Sequence, residues 1–493
     1  MALFLRKYLI NFIFLFLAFL LVQKAIWIKD FFGERTNYIE ILYNFTVQYD
    51  GVRDTPLYYK VNFILNIIIY PFIAALFWML VLEKSKTNSI INNFLFKIKE
   101  KRIINFFFNF FYKIILNYKI YFIFCLIFYF NKLDFFDFLH VNKNLEKNIQ
   151  LYHNPNKINF INPEKKKNLI LFFTESLETQ VRSLDKNNPI KDIDAVKGNA
   201  IENFKHAPAT AFSIGAVVSA QCSVPFYPTI SMNLTTFKKN DLICLSDILN
   251  RFNYKQIFYL TVHADFHGFG IFKRLHSFEV YDIDKMVKDG LAEERLTGWA
   301  NGVHDDDMLE HAKNKIIQLH QSRQPFNVTL ITADTHYPFV SSPRCKEKTL
   351  STKNKKLKYI DDLKRSYRCS GKFINNFFKD LEKAGVLEDT VVVLMGDHLM
   401  ADREEFTIPD SWDRNIYFKM NNQKKFKRAK INHFDIAPTI LDEMGILPDD
   451  TSRYGFGYSA VREIKNYDQH YTDIMDKKIL SEYLTHKIFN TAK

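Results

Sequence analysis

Hydrophobic and polar positions divide this chain into two regimes. Up to residue 140 the apolar residues run in long blocks; beyond residue 167 they come in short bursts between amphipathic stretches. A bilayer-crossing helix needs about 20 apolar residues. Tyr8 to Trp27, Asn62 to Leu82 and Tyr118 to Phe136 meet or approach that length. The last block ends a longer apolar stretch that begins at Ile103, where Asn105, Asn109, Lys113 and Asn117 interrupt it and suit an interfacial helix. A signal peptide is the competing reading of the first block, but its apolar run is too long and no small-x-small cleavage site follows. Residues 1–140 are therefore expected to form a transmembrane helical region of about three spans. Lys84, Lys86, Lys97, Lys99, Lys101 and Arg102 mark the second loop as cytoplasmic. With an odd number of spans, everything beyond about residue 140 lies outside the cytoplasmic membrane. Residues 141–167, rich in Asn and Lys with Pro155 and Pro163, read as a linker carrying a short interfacial helix.

From Asn168 the rhythm predicts strands at Leu169 to Phe173, Gln256 to Thr261, Asn327 to Thr332 and Thr390 to Met395. Helices are expected at Ile214 to Gln221, Leu242 to Phe252, Asp306 to His320, Ser366 to Ala384 and Ile436 to Met444. Strands alternating with helices predict an α/β domain over residues 168–450, a mostly parallel sheet between helices. Residues 451–493 are polar and without a clear period.

The same pattern locates the chemistry. "LILFFTE" ends at Glu175, "VTLITADTH" at Asp334 and His336, "VVVLMGDH" at Asp397 and His398, and "IFYLTVHAD" at His263 and Asp265. Ligands of open α/β sheets bind at the carboxyl ends of the strands. Four strands ending in ionisable side chains are hard to explain as packing, because a buried strand end gains nothing from unpaired charge. Two carboxylates and an imidazole, from Glu175, Asp397 and His398, suit one divalent ion such as Zn²⁺, Mn²⁺ or Mg²⁺. Ser213 precedes a helical run of small residues and reads as its N-cap. A hydroxyl beside a divalent cation and a helix start is a candidate nucleophile.

Composition changes this picture in two ways. The formal charge of +13, in a chain with apolar segments, favours an anionic membrane surface, and no nucleic-acid-binding signature is present. Cys125 lies in an apolar block, while Cys222, Cys244, Cys345 and Cys369 lie in the later part, where an oxidising compartment would favour two disulfides out of three pairings. Four separate buried thiols are the alternative.

"NLILFFTESLE", "FSIGAVVSAQCSVPF", "GVHDDDMLEHA", "TADTHYPF", "RCSGKFINNFF" and "VVVLMGDHLM", in this order, resemble the phosphoglycerol transferase I family, whose members act on periplasmic glucans. More distantly they are similar to lipoteichoic acid synthases and phosphoethanolamine transferases of the alkaline phosphatase–sulfatase superfamily. The resemblance spans roughly residues 168–445. It implies Glu175, Asp397 and His398 as metal ligands, and Ser213 as a nucleophile that also touches the metal, where relatives carry Thr. Thr210 is the alternative. It implies His336 as a contact to the transferred phosphate or as proton donor to the leaving group, and the pairings Cys222–Cys244 and Cys345–Cys369. His263, Asp265, His304 and His433 are expected as substrate contacts, although acids opening a helix at Asp305 and a structural His433 are the plainer readings. The basic stretch "FKMNNQKKFKRAK" reads as a solvated loop that could meet head groups or glycan. The implied function is transfer of phosphoglycerol from an anionic phospholipid donor to a glycan acceptor. Transfer of phosphoethanolamine to lipid A is the first alternative, and a sulfatase-like hydrolase or phosphodiesterase the second. "CSVPF" lacks the Arg of the C/S-x-P-x-R sequence that sulfatases mature, which disfavours the sulfatase.

Overall fold

The computed structural model describes residues 2–32, 61–62, 64–87, 118–132, 151–226, 242–401, 403 and 405–475. They belong to two compact units.

The first unit contains helices α1 (Ala2–Phe32), α2 (Tyr70–Thr87) and α3 (Tyr118–Lys132). The described residues of the three apolar blocks are thus helical. Among the described residues only the stretch Leu9–Ile26 is long and apolar enough to cross a membrane; the apolar stretches Leu65–Leu80 and Tyr121–Lys132 are shorter. Aromatic edges join the helices, with Phe12 on Phe72 at 5.3 Å and Phe14 on Phe122 at 5.6 Å. Gln23 donates to Asn66 Oδ1 at 2.9 Å, satisfying two polar groups within an apolar packing. Ile73, Phe77 and Leu80 are exposed. The expected interfacial stretch before Tyr118 lies outside the described residues, as does most of the cationic loop.

The second unit contains, in chain order, β1 (Asn168–Thr174), β2 (Asn199–Ala200), β3 (Asn203–Phe204), α4 (Ser213–Cys222), α5 (Leu245–Arg251), β4 (Lys255–Leu260), β5 (Glu279–Tyr281), α6 (Asp305–Gln321), β6 (Phe326–Ile331), α7 (Lys355–Lys383), β7 (Thr390–Gly396), β8 (Phe418–Met420), β9 (Lys430–Ile431) and α8 (Ile436–Glu443). A sheet of order β2-β8-β7-β1-β6-β4-β5 runs through it. The five strands from β7 to β5 are parallel to their neighbours, and β8 is antiparallel to both β7 and β2. Every residue of β1 and β7 is buried, because helices cover both faces of a parallel sheet. Ile170, Phe172, Val328, Leu330, Val392 and Leu394 form one core with side chains of α6 and α7. On the other face Gln221 of α4 donates to Thr329 Oγ1 at 3.3 Å.

Register fixes the strand ends. Thr174 of β1 lies opposite Gly396 of β7, and Phe173 opposite Ile331 of β6. One residue further, Glu175 and Asp397 leave the sheet side by side. A β-carbon at Gly396 would meet Leu177 O at 2.0 Å, so only glycine permits this approach.

Some boundaries differ from the sequence-based expectation. α7 begins at Lys355, a full eleven residues before Ser366, because Asn354 caps it by accepting from Leu357 N–H. Tyr359, Leu363 and Tyr367 bury its face at helical spacing within an otherwise charged stretch. Residues 151–161 lie along residues 446–456: His153 and Gly455 exchange backbone hydrogen bonds, and Phe160 packs on Tyr454. Residues 141–150 of the expected linker are outside the described residues. Beyond residue 451 a short hairpin, Arg453–Tyr454 with Gly457–Tyr458, precedes a helix, Tyr467–Met475.

Candidate metal centre

Glu175, Asp397 and His398 converge where β1 and β7 end. Ligand atoms of all three lie within 4.8 Å of one another. Glu175 is 4% exposed and Asp397 fully buried. Each is held by backbone that the strand ends supply. The Ser176 N–H donates to Asp397 Oδ1 at 2.8 Å and the His398 N–H to the same oxygen at 2.7 Å. Ser176 reaches this position through a left-handed backbone, φ 54°. Its hydroxyl donates to Glu175 Oε1 at 2.6 Å. His398 Nδ1–H donates to Leu399 O at 2.9 Å, which turns the bare Nε2 toward the carboxylates, 3.6 Å from Glu175 Oε1 and 3.5 Å from Asp397 Oδ2. Arg414, paired with buried Glu178 at 2.7 Å, donates to Met400 O and pins the chain that follows His398.

Ser213 joins this group. Its hydroxyl donates to Glu175 Oε2 at 3.2 Å and lies 3.4 Å from His398 Nε2. The expected N-cap role is corrected here. Phe212 is the capping residue, with an extended backbone, and Ser213 is the first helical residue of α4, making no capping hydrogen bond. The hydroxyl is spent on the carboxylate instead of on its own helix. Thr210 donates to Ala207 O at 2.7 Å, and no contact ties it to the three ligands.

The donor set fits a divalent cation. Asp397 Oδ2 is buried, has no hydrogen-bond partner and faces an imidazole nitrogen. Orphaned buried carboxylate oxygens are costly unless a cation compensates them. Burial and the neighbouring Glu175 push Asp397 up to about 7. Burial opposes charge on His398, but the Asp397 and Glu175 carboxylates outweigh it and hold the imidazole above its ordinary value. A bound cation would reverse both trends.

His336 follows β6. Its Nδ1–H donates to Tyr337 O at 2.6 Å and its ring packs on Trp299 at 4.2 Å. Burial brings it down to about 4, so it is neutral at pH 7 with a bare Nε2. The charges of Arg403, His398 and Asp397 also act on it. The loop is fastened to the centre by Thr335, whose hydroxyl donates to Glu175 O at 2.7 Å.

The remaining candidates have other surroundings. His263 is exposed and lies 3.2 Å from Asp284; Asp265 is exposed, 3.9 Å from Arg274. Neither reaches the ligand group, because the chain turns at His267, φ 49°, and sends that ring inward instead. His267 is half-buried, stacks on Phe266, and is lowered to about 3 by desolvation and by the charges of His336 and His398. It is the residue that sequence reasoning missed in "HADFHGF"; its signal is a local backbone turn that no periodicity reveals. Arg403, over the Tyr337 ring at 5.1 Å, is a second such residue. His304 is buried with both nitrogens engaged, by Asp334 at 3.1 Å and Thr297 at 3.2 Å. Asp305 does not cap α6. It reaches across to accept from Ala333 N–H at 2.8 Å and Asp334 N–H at 3.2 Å, so it braces the His336 loop. His433 donates to Asp397 O at 2.8 Å through Nε2 and accepts from Ala207 N–H through Nδ1, which makes it a brace for the ligand backbone. Disulfides join Cys222 to Cys244 and Cys345 to Cys369.

Comparison with known proteins bears on the family and the fold. The profile of the sulfatase family matches residues 167–446. Phosphoglycerol transferase I of Shigella flexneri is 28% identical over 302 residues, which cover 57% of this chain and 38% of that protein; the protein of the same name from Escherichia coli (strain SMS-3-5 / SECEC) matches equally. The chain thus spans well under half the length of these curated relatives. Among solved structures, the lipoteichoic acid synthase LtaP from Listeria monocytogenes superposes with a TM-score of 0.55 at 17% identity, covering 70% of this chain and 98% of that one. An alkaline phosphatase superfamily protein from Vibrio parahaemolyticus gives 0.51 at 18% identity, covering 67% and 79%. With its family profile matched over more than half its length and a fold shared with alkaline phosphatase superfamily structures, the chain belongs to the sulfatase family.

Proposed function

We propose that this chain is a membrane-anchored, metal-dependent phosphotransferase that moves phosphoglycerol from an anionic phospholipid to an extracytoplasmic glycan through a phosphorylated Ser213. The observation that carries the reading is the meeting of the Ser213 hydroxyl with Glu175, His398 and the orphaned oxygen of Asp397. The donor is suggested by relatives named phosphoglycerol transferase I. An apolar N-terminal helix supports a lipid substrate, and two disulfides support an oxidising, extracytoplasmic setting.

Glu175, Asp397 and His398 would hold one divalent cation, which supplies a lowered hydroxyl pKa and neutralises charge on the phosphoryl oxygens. In the first step Ser213 Oγ bonds to the phosphorus of the lipid diester, and the bond from phosphorus to the diacylglycerol oxygen breaks. Diacylglycerol leaves with a proton, and phosphoglycerol remains on Ser213. In the second step a sugar hydroxyl attacks the same phosphorus and the Ser213 oxygen departs, leaving a sugar–phosphoglycerol diester. The N-terminal amides of α4 face the charge that develops. His336 carries the proton. With Nδ1–H committed to Tyr337 O, its bare Nε2 acts as base toward the sugar hydroxyl. An anionic donor beside it favours the imidazolium, which then serves as acid for the departing diacylglycerol.

The test incubates the purified full chain with head-group-labelled phosphatidylglycerol or phosphatidylethanolamine and locates label by mass spectrometry. Label from phosphatidylglycerol on Ser213, lost in Ser213→Ala together with diacylglycerol release, is the expected result. Label from ethanolamine alone would replace the donor. Turnover that survives Ser213→Ala would remove the nucleophile and the mechanism with it.

A further inference from the structure

Ile161, Leu350 and Leu357 are the only large apolar side chains strongly exposed among the described residues of the second unit, Leu350 at 47% and Leu357 at 52%. The two leucines belong to residues 345–358, which end the connection from β6 to α7 and form the first turn of α7. Leu350 N–H donates to Asp361 Oδ2 at 2.8 Å. Asp361 and Leu357 are four residues apart on α7 and share a face, so the two leucines lie on the same side of the helix start. Tyr359, two residues past Leu357, stands about 200° around the helix from it. That ring packs on Tyr337 and Phe339, in the loop that carries His336. The leucines therefore form the outer surface of the wall whose inner surface supports His336.

Positive charge surrounds them. Lys346, Lys348, Lys353, Lys355 and Lys356 are exposed, and none has an ion pair among the described residues. The nearby acids are already engaged: Glu347 holds Arg368 at 3.1 Å and also Lys372, and Asp362 holds Lys358 at 2.7 Å. The segment is fastened at both ends. The Cys345–Cys369 disulfide and the Glu347 pairs tie its start to the middle of α7, and Asn354 caps the helix by accepting from Leu357 N–H at 3.1 Å. A surface ordered in advance loses little freedom on binding. Leucines set among unpaired lysines suit an anionic bilayer, where the lysines meet head groups and the leucines enter the boundary with the acyl chains. An acidic polymer in water would use the lysines and leave the leucines wet.

We propose that residues 345–358 are a membrane-docking surface through which the second unit rests on an anionic phospholipid leaflet. The inference rests on the proposed transfer only for its purpose, which is to hold the His336 side of the centre over lipid head groups. The full chain is placed in nanodiscs of phosphatidylcholine alone or mixed with phosphatidylglycerol, and backbone hydrogen exchange is followed by mass spectrometry. The N-terminal apolar helices are common to both discs, so a difference between them reads the charge of the surface. Amides of residues 346–354 should exchange at least about fivefold more slowly in the phosphatidylglycerol discs. The triple variant Lys353→Gln, Lys355→Gln, Lys356→Gln should lose that protection with an unchanged melting profile. Leu350→Ser with Leu357→Ser should weaken it, and Ser213→Ala should keep it. The proposal is overturned if the two discs give equal exchange, if either surface variant stays as protected as wild type, or if Ser213→Ala abolishes the protection. Free glycerol phosphate or soluble polyaspartate giving the same protection in phosphatidylcholine discs would also overturn it, since neither is a surface. Protection without lipid label on Ser213 would sink the transfer reaction and leave the docking surface. Lipid label without protection would sink the docking surface alone.

Discussion

At Asp397 the two carboxylate oxygens have different fates. Oδ1 takes two backbone N–H groups, whereas Oδ2 is buried without a hydrogen-bond partner, 3.5 Å from His398 Nε2. Asp397→Asn keeps the shape and places an amide in a position where a cation would need an anionic oxygen. Zn²⁺ or Mn²⁺ affinity should fall by more than about a hundredfold, beyond the roughly 10–100-fold expected from losing an outer partner alone; metal content after dialysis reports it. Undiminished binding would mean that Oδ2 is not a ligand. Glu175, Asp397 and His398 were legible in the sequence because an apolar run that stops at a carboxylate exposes its own register. His267 and Arg403 were not. Each owes its place to loop conformation, the left-handed turn at 267 in one case and the chain beyond Met400 in the other.

At the scale of elements, α4 must stay fixed if Ser213 is to keep its place. Its far end is held by a buried lysine. Lys273 is fully buried, donates to Gln221 Oε1 at 2.9 Å, and lies 4.5 Å from the Phe258 and Phe278 rings. Burial moves its amine well below the ordinary lysine value. Lys273→Ala would strand the Gln221 oxygen and open a cavity, costing about 2–4 kcal/mol. Lys273→Met strands the same oxygen but fills the volume, so it should cost less than Lys273→Ala by the cavity contribution alone. Urea unfolding of both variants separates the contributions; equal losses would show that the amine, and not the volume, stabilises the site. Lys273 does not follow from hydrophobic period, because its partner Gln221 is distant in the chain; the early start of α7 rests on the local Asn354 cap and on sparse apolar positions masked by a charged stretch. The parallel strands could be read because each is buried from end to end, and a continuous apolar run has few other uses.

For the whole molecule, opposed buried charges set a stability optimum. Desolvation lowers His267, His336 and His433 to about 3, 4 and 3, His433 being fully enclosed and the other two half-buried. The unfolded chain protonates these three near pH 6.5 while the folded chain does not. Between pH 6.5 and about 4 the unfolded state therefore binds more protons, and stability falls as pH falls. Asp305 has the reverse sign. Burial and Asp334 raise it to about 8, so between pH 4 and 8 the folded state holds a proton that the unfolded state has released. Its contribution is lost as pH rises. Asp334, raised by burial, and His304, raised because Asp334 outweighs its desolvation, have that same sign. On the acid limb three histidines outnumber Asp305 and Asp334; above pH 6.5 the histidines no longer differ and the carboxylates prevail. The melting temperature of the metal-loaded chain should thus peak between pH 6 and 7 and fall on both sides. Asp305→Asn keeps the acceptor for Ala333 N–H and removes the titration, so it should flatten the alkaline limb and leave the acid limb in place. A profile still falling from pH 7 to 8 in that variant would assign the alkaline loss to groups other than Asp305, and a flat acid limb would show that the three imidazoles are protonated in the fold.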